Sequence, residues 1–148
     1  MVKRMSLSEL LKNGLVEKYQ SDEDQIRNEV EIAKSDLASA KHMLGIQEWG
    51  WAHNAAYNSM LQAGRALMFS KGYRPWGQEH HTAVISFVKA VYANKFDAEV
   101  LQAFEKARRR RNESLYDRTG SISETQGRNL VQFAEKFMGK TLELLNTK

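Results

Sequence analysis

The spacing of apolar residues restricts the fold of this chain more than any other feature. Between residues 22 and 44, apolar side chains recur at steps of three and four residues: Ile26, Val30, Ala33, Leu37, Ala40 and Leu44. Such positions share one face of an α-helix, because each residue advances by about 100° around the helix axis. The 148 residues include a single proline, Pro75, and nine glycines, so few positions interrupt a helix. The sequence therefore predicts an all-α protein.

The pattern divides the chain into a short helical arm and five longer helices. The arm is expected at residues 6–19, within an N-terminal segment of residues 1–20, and a helical bundle occupies residues 21–148. The predicted bundle helices span about residues 22–44, 51–71, 78–93 and 97–118, and the last begins at Ser121 or Ser123. Glu124 follows Ser121 by three residues, which is the spacing of a capping box. The short connections favour an antiparallel up-down arrangement.

The second predicted bundle helix combines small interior residues with aromatic residues at both ends. Its small residues are Ala52, Ala55, Ala56, Ala63, Gly64 and Ala66. Small side chains let neighbouring helices approach closely, so this helix is expected at the centre of the bundle. The aromatic residues near its ends are Trp49, Trp51, Tyr73 and Trp76. Packing at the edge of the core is the favoured role of these rings, and stacking of nucleic-acid bases is the alternative.

The composition excludes several classes of site and protein. There is no cysteine, which excludes disulfides, thiol nucleophiles and cysteine-ligated zinc. No apolar run approaches the roughly 20 residues that span a bilayer. The basic residues 1–5 are not followed by the apolar segment of a secretory signal. We therefore expect a cytoplasmic protein with no membrane partner. The net charge of +4 favours polyanionic partners only mildly.

Four consecutive arginines, at residues 108–111, lie late in the fourth predicted bundle helix. Their guanidinium groups are distributed around the helix, so at least one is expected to lean toward the packed face, where an unpaired charge is costly. The planar guanidinium suits phosphate better than any other anion. The run therefore predicts a phosphate-binding site that includes Arg108, Arg110 and Arg111. A solvated basic helix end, favoured by the helix dipole, is the alternative.

Two stretches of the chain together resemble the HEPN superfamily (higher eukaryotes and prokaryotes nucleotide-binding). The first is WAHNAAYNSMLQAGRAL at residues 51–67, followed by KGYRP at residues 71–75 and then by His80 and His81. The second is RNESLYD at residues 111–117, followed by AEKF at residues 134–137 in the last helix. The resemblance covers roughly residues 22–148. It is closest to small prokaryotic members whose late motif ends in Tyr-Asp.

The resemblance implies an antiparallel helical bundle of HEPN type that forms a homodimer. Many members of the superfamily are metal-independent endoribonucleases. Others are partners of minimal nucleotidyltransferases in two-gene toxin–antitoxin modules. The resemblance therefore implies a nucleotide- or RNA-associated protein, with such a nucleotidyltransferase as its partner. The alternative is a non-catalytic protein-interaction module in which the arginines form a basic surface patch.

The site residues that the resemblance implies lie at the end of the fourth bundle helix. Arg111 matches the signature arginine of the superfamily and would hold the phosphate, and Asn112 matches the polar residue that follows and would orient an oxygen. The position of the signature histidine is occupied by Tyr116. A tyrosine has an ordinary pKa near 10 and is a poor general base, so Tyr116 would act as a proton donor or binding group. In related toxin–antitoxin partners, a tyrosine near this motif is nucleotidylated.

The histidines predict no metal site. His80 and His81 are adjacent and point about 100° apart on a helix, so they cannot both bind one metal ion without help. No histidine pair has the four-residue spacing of helix-borne zinc sites. One of the two resembles the histidine often found here in the superfamily. His81 is therefore a candidate for nucleotide contact, and capping of a neighbouring helix is its alternative role. No cofactor is expected.

Overall fold

The computed structural model describes residues 4–117 and 122–146, apart from the side chains of residues 112–117. Within them the elements are α1 (Leu7–Lys12), β1 (Val16–Lys18), α2 (Glu23–Gly45), α3 (Trp49–Lys71), β2 (Tyr73–Pro75), α4 (His80–Val91), α5 (Ala98–Asp117) and α6 (Glu124–Asn146). The predicted all-α class is confirmed, since the two strands contain only three residues each. None of the described helices is both long and apolar enough to cross a membrane.

The helix boundaries follow from local capping. The Asp22 carboxylate accepts a hydrogen bond from the Gln25 backbone N–H at 2.8 Å, and the Gln25 side chain accepts one from Asp22, so this capping box begins α2. Ser123 and Gln126 form the corresponding box before α6. The box predicted between Ser121 and Glu124 involves a residue outside the described part of the chain. α3 begins at Trp49, two residues earlier than predicted.

α3 lies at the centre of the bundle, as its small residues predicted. α2 packs antiparallel to it, and the Ser59 hydroxyl on α3 donates a hydrogen bond to the Ala33 carbonyl on α2 at 2.8 Å. Gly64 allows the closest approach of α4. A Cβ atom at that position would lie 2.5 Å from a Val84 methyl carbon, which is too short for any real contact. The absence of a side chain at Gly64 therefore sets the distance between α3 and α4.

The up-down order holds for consecutive α2 and α3 and for α5 and α6, but α4 departs from it. α4 runs in the same direction as α3, since Tyr57 meets His81 near the start of α4 while Lys71 lies beside Tyr92 at its end. The connection between α3 and α4 therefore travels back along α3. The short length of this connection suggested that α4 would run antiparallel to α3. The connection can nevertheless return along α3, because the extended strand β2 covers more distance per residue than a helix does.

The N-terminal arm differs from the helix predicted at residues 6–19. Its helix α1 ends at Lys12, and Gly14 adopts a left-handed φ of 74° that breaks the helical path. The chain then forms β1, which pairs antiparallel with β2, with Val16 opposite Pro75. Leu10 and Val16 are fully buried in the core. The arm thus packs on the bundle through one short helix and a small sheet.

Stacked phenylalanines join the second half of the bundle. The Phe96 and Phe137 rings stack with centroids 4.6 Å apart, and Phe104 meets Phe137 edge to face at 5.3 Å. Phe104 also contacts the Tyr57 ring on α3, at a centroid distance of 5.9 Å. This aromatic contact fixes α5, which carries the arginine run, against α3.

Candidate anion-binding site

The four arginines of α5 lie in different surroundings. Arg109 is exposed, whereas Arg108, Arg110 and Arg111 are half-buried. This difference follows from helical geometry, because four successive residues occupy all sides of the helix. Arg108 and Arg111 are three residues apart and lie on the side of α5 that faces α3 and α4. Only part of the run can therefore contribute to one site.

Arg108 shares a single carboxylate with a lysine from α4. The Arg108 guanidinium donates to Glu105 at 3.2 Å, and Lys89 donates to the other oxygen of the same carboxylate at 3.1 Å. Burial acts to raise the pKa of Glu105, but the hydrogen bonds and charges of Lys89 and Arg108 outweigh it and lower that pKa below its usual value. The single negative charge of Glu105 faces two positive charges, so Glu105, Lys89 and Arg108 together carry a net positive charge.

Tyr57 and His81 meet beside Arg111. The Tyr57 ring is fully buried in α3, and its hydroxyl is hydrogen-bonded to Nδ1 of His81 in the first turn of α4 at 3.0 Å. The guanidinium carbon of Arg111 lies 5.8 Å from the centroid of the Tyr57 ring, within range of a cation–π interaction. Three helices thus bring a guanidinium, a phenol and an imidazole together.

The surroundings keep both the phenol and the imidazole uncharged at neutral pH. Burial raises the pKa of the Tyr57 hydroxyl, against the opposing charges of Arg111 and Arg108. Burial lowers the pKa of His81, and the charges of Arg111, Arg108, His80 and Arg65 lower it further. The imidazole therefore adds hydrogen-bonding capacity to the site, and the positive charge of the site comes from the arginines and Lys89.

Arg111 lacks an acidic partner among the described side chains. Its Nε atom is buried and has no hydrogen-bond partner there. The ion pairs found in the described residues do not include Arg111, although they do include Arg108. A half-buried guanidinium that has no acidic partner can bind an anion. An ion pair with Glu113 or Asp117 would involve side chains outside the described set.

The structure brings together some of the residues that the sequence singled out. Arg108, Arg111 and His81 lie in one cluster with Tyr57. Arg110 instead lines a separate groove of about 220 Å³ between α5 and α6. The side chains of Asn112 and Tyr116 lie outside the described set, so their predicted roles stay predictions.

His53 lies near Arg110, in the interior of the bundle. Its ring is fully buried in α3, and neither ring nitrogen has a hydrogen-bond partner among the described residues. Burial lowers the pKa of His53 to about 4, and the charge of Arg110 acts in the same direction. His53 is therefore uncharged at neutral pH and lies inside the bundle.

Tyr57 and Arg65 belong to the site and were not singled out by sequence reasoning. Tyr57 lies among small and apolar residues in the sequence of α3, and a buried tyrosine usually requires a partner for its hydroxyl. Arg65 interrupts an otherwise apolar stretch of α3 and faces Glu29 of α2, with Nε 3.5 Å from the carboxylate. Burial raises the pKa of Glu29, and Arg65 opposes that shift. The sequence signal that could have identified Arg65 was a charged residue among the small and apolar residues of a central helix.

The described residues contain no group of three or more histidine, aspartate or glutamate side chains arranged to hold a metal ion. The cluster itself offers guanidinium charge and hydrogen bonding from a phenol and an imidazole. Such groups recognise phosphate through charge-assisted hydrogen bonds.

Comparison with known proteins agrees with this fold. The crystal structure of TT1696 from Thermus thermophilus is similar, with a TM-score of 0.65 and 16% identity over 80% of this chain and 97% of that chain. At that identity, the likeness concerns the fold alone. No curated protein matches the sequence significantly. The sequence model of the HEPN domain matches residues 26–144, most of the chain, and supports an association with nucleotides or RNA. The chain therefore belongs to the HEPN domain family.

Proposed function

We propose that this protein binds RNA through a phosphate held by Arg111 and Arg108. The observation that carries the proposal is the half-buried Arg111 guanidinium, which lies over the Tyr57 ring without an acidic partner among the described side chains. The neighbouring Lys89 and Arg108 share one carboxylate, so the surroundings of Arg111 are positive. A phosphate group supplies the negative charge that this cluster lacks.

Each residue has a distinct role in this proposal. Arg111 offers two parallel N–H donors to the phosphate, and Arg108 adds charge from the preceding turn. His81, uncharged and fixed by Tyr57, hydrogen-bonds a phosphate or ribose oxygen. Asn112 and Tyr116 follow on the last turns of α5 and contribute as the family resemblance implies. In a homodimer, two such clusters would form one composite cleft.

The experiment that tests this function compares Arg111→Ala with Arg109→Ala. Both variants remove one arginine from the same run, but Arg109 is exposed. We expect Arg111→Ala to weaken binding of a fluorescently labelled single-stranded RNA at least tenfold, since a charged hydrogen-bonded contact contributes about 1.5–3 kcal/mol. Arg109→Ala should change the affinity only slightly. Equal affinities for Arg111→Ala and the wild type, with unchanged circular dichroism, would contradict the proposal.

The same samples show whether RNA is cleaved. The position of the signature histidine is occupied by Tyr116, and an ordinary tyrosine is a poor general base near neutral pH. We therefore propose that the protein acts by recognition, and that RNA incubated with it in EDTA is recovered intact on a denaturing gel. Cleavage in EDTA that disappears in Arg111→Ala would instead assign the metal-independent endoribonuclease activity of other family members.

The proposed protein partner is a minimal nucleotidyltransferase encoded as the second member of a toxin–antitoxin module. The support for this assignment is the late Tyr-Asp motif, residues 116 and 117, which resembles that of the family members with such partners. We expect co-expression with the cognate nucleotidyltransferase to give a complex on size exclusion, and ATP to add a nucleotide to Tyr116. Intact-mass measurement of the wild type and Tyr116→Phe tests this modification. Failure to form either product would contradict the partnership.

A protein-interaction module is the second candidate function, and one feature favours it. At the corner between α2 and α3, the side chains of Ile46 and Trp51 are 55% and 63% exposed. Exposed apolar side chains of this size are typical of surfaces that contact another protein. Under this alternative, RNA binding would be absent or indifferent to Arg111, so the comparison of Arg111→Ala with Arg109→Ala separates the two functions.

A further inference from the structure

A second cavity, of about 560 Å³, lies next to the anion-binding site. Its walls come from the small sheet, α2, α3 and the start of α4, and they include Tyr19, Arg65, Phe69, Arg74, Trp76 and His80. Two of these residues connect the cavity to the site described above. His80 precedes His81 in the chain, and the charge of Arg65 contributes to lowering the pKa of His81. The volume lies within the usual range for small-molecule sites.

The aromatic side chains on one side of this cavity are held in place by contacts within the protein. The Arg74 guanidinium carbon lies 4.5 Å from the Tyr19 ring centroid and 5.5 Å from the Trp76 ring centroid. The Tyr19 hydroxyl accepts a hydrogen bond from the Gln25 amide at 2.6 Å, and the Phe69 ring lies 5.7 Å from the Tyr19 ring. These contacts hold Tyr19 in place before any ligand arrives. A preformed aromatic surface loses little conformational entropy on binding.

Trp76 provides the accessible aromatic surface. Its side chain is 50% exposed, while its backbone N–H donates to the Leu15 carbonyl at 2.9 Å. The next residue, Gly77, has a φ of 76°, and a Cβ atom there would lie 3.1 Å from the Gly14 carbonyl oxygen. The backbone around Trp76 is therefore closely packed against the N-terminal arm. A fixed backbone with a half-exposed indole suits the stacking of a planar ring.

The charged side of the cavity is less completely paired. Arg74 forms an ion pair with Glu17 across the two strands. The Arg65 Nε atom is 3.5 Å from Glu29, but it makes no hydrogen bond within the described residues. One oxygen of Glu29 is likewise buried without a hydrogen-bond partner there. Because its pairing with Glu29 is long, Arg65 can turn part of its guanidinium toward an anion in the cavity.

We infer that this cavity binds one nucleotide, with its base stacked on the Trp76 and Tyr19 side and its phosphate directed toward Arg65 and His80. A planar ring joined to an anion uses both sides of the cavity, whereas an aliphatic anion uses only one. This inference rests on the proposed function in one respect: in RNA, the adjoining phosphate would lie toward Arg111. It thus assigns the base-binding part of the RNA site, at residues that the arginine run does not include.

Calorimetric titration with adenosine monophosphate tests the inference on the full chain. We expect saturable binding, weakened about tenfold by Trp76→Ala, since base stacking on an aromatic side chain contributes on this scale. Trp76→Phe should restore most of the affinity, and Trp51→Ala, another exposed tryptophan, should leave it unchanged. Adenosine and inorganic phosphate alone should each bind more weakly than the monophosphate. Absence of saturable nucleotide binding, or equal affinities for wild type and Trp76→Ala, would overturn the inference.

The Arg111→Ala variant separates this inference from the proposed function. That variant should keep its affinity for adenosine monophosphate while losing affinity for RNA. Nucleotide binding that depends on Trp76, in a protein that binds no RNA, would support the cavity and contradict the proposed function. RNA binding that depends on Arg111 but is unaffected by Trp76→Ala would support the proposed function and contradict the assignment of the cavity as the base-binding part of the site.

Discussion

Phe104→Ala is expected to lower the free energy of unfolding by about 3–5 kcal/mol, the usual cost of removing a fully buried aromatic side chain. Phe104 has no exposed surface, and its ring contacts both Tyr57 and Phe137. Truncation would leave a cavity between α3, α5 and α6 that these helices cannot close without moving. Urea denaturation of both proteins, with an unchanged dependence on urea concentration, measures the loss.

Phe133→Ala is the matched control for this core substitution. Phe133 lies on α6 and is only partly buried. Phe133→Ala should therefore lower the free energy of unfolding by clearly less than Phe104→Ala does, because less buried apolar surface is removed. A loss from Phe104→Ala no larger than that from Phe133→Ala would show that the aromatic contact between α3 and α5 does not hold the bundle together as described.

His53→Leu is expected to remove a large part of the acid sensitivity of the protein. Burial lowers the pKa of His53 from its ordinary 6.5 to about 4, so the unfolded chain binds a proton there at a higher pH than the folded protein does. The stability linked to His53 is therefore complete above about pH 6.5 and is lost as the pH falls toward 4. The loss over this interval is about 3 kcal/mol.

Urea denaturation at several pH values between about 7 and 4.5 compares the wild type with His53→Leu. The stability of the wild type should fall relative to that of the variant as the pH decreases, while other titrating groups affect both proteins alike. At neutral pH the variant should be at least as stable, because leucine replaces two buried nitrogens that have no hydrogen-bond partner among the described residues. Parallel stability curves would contradict the buried, uncharged state assigned to His53.

The bundle helices were predictable from the sequence because their signals are local. The apolar stripe of α2 lies within the helix itself, and it predicted the bounds of that helix within one residue. The strands were not predictable in the same way. β1 and β2 contain three residues each and are separated by more than 50 residues, so their hydrogen bonds have no local sequence signature.

The site was predictable only in part, for a related reason. The arginine run and the family resemblance predicted that Arg108, Arg110, Arg111 and His81 contribute to one site. The structure places Arg108 and Arg111 near His81, whereas Arg110 lines a separate groove. The contact of His81 with Tyr57 depends on α4 running in the same direction as α3, which sequence spacing does not encode. The separation of Arg110 from Arg111 likewise depends on which helices pack against each side of α5.

The salt dependence of RNA binding tests the central claim, phosphate recognition by Arg111, most directly. Each phosphate contact made by a basic side chain contributes about 0.7 to the slope of log affinity against log salt concentration on single-stranded RNA. We expect Arg111→Ala to reduce the steepness of that slope by about this amount, and exposed Arg109→Ala to leave it nearly unchanged. A slope for Arg111→Ala equal to that of the wild type would contradict the account, whatever its effect on affinity at a single salt concentration.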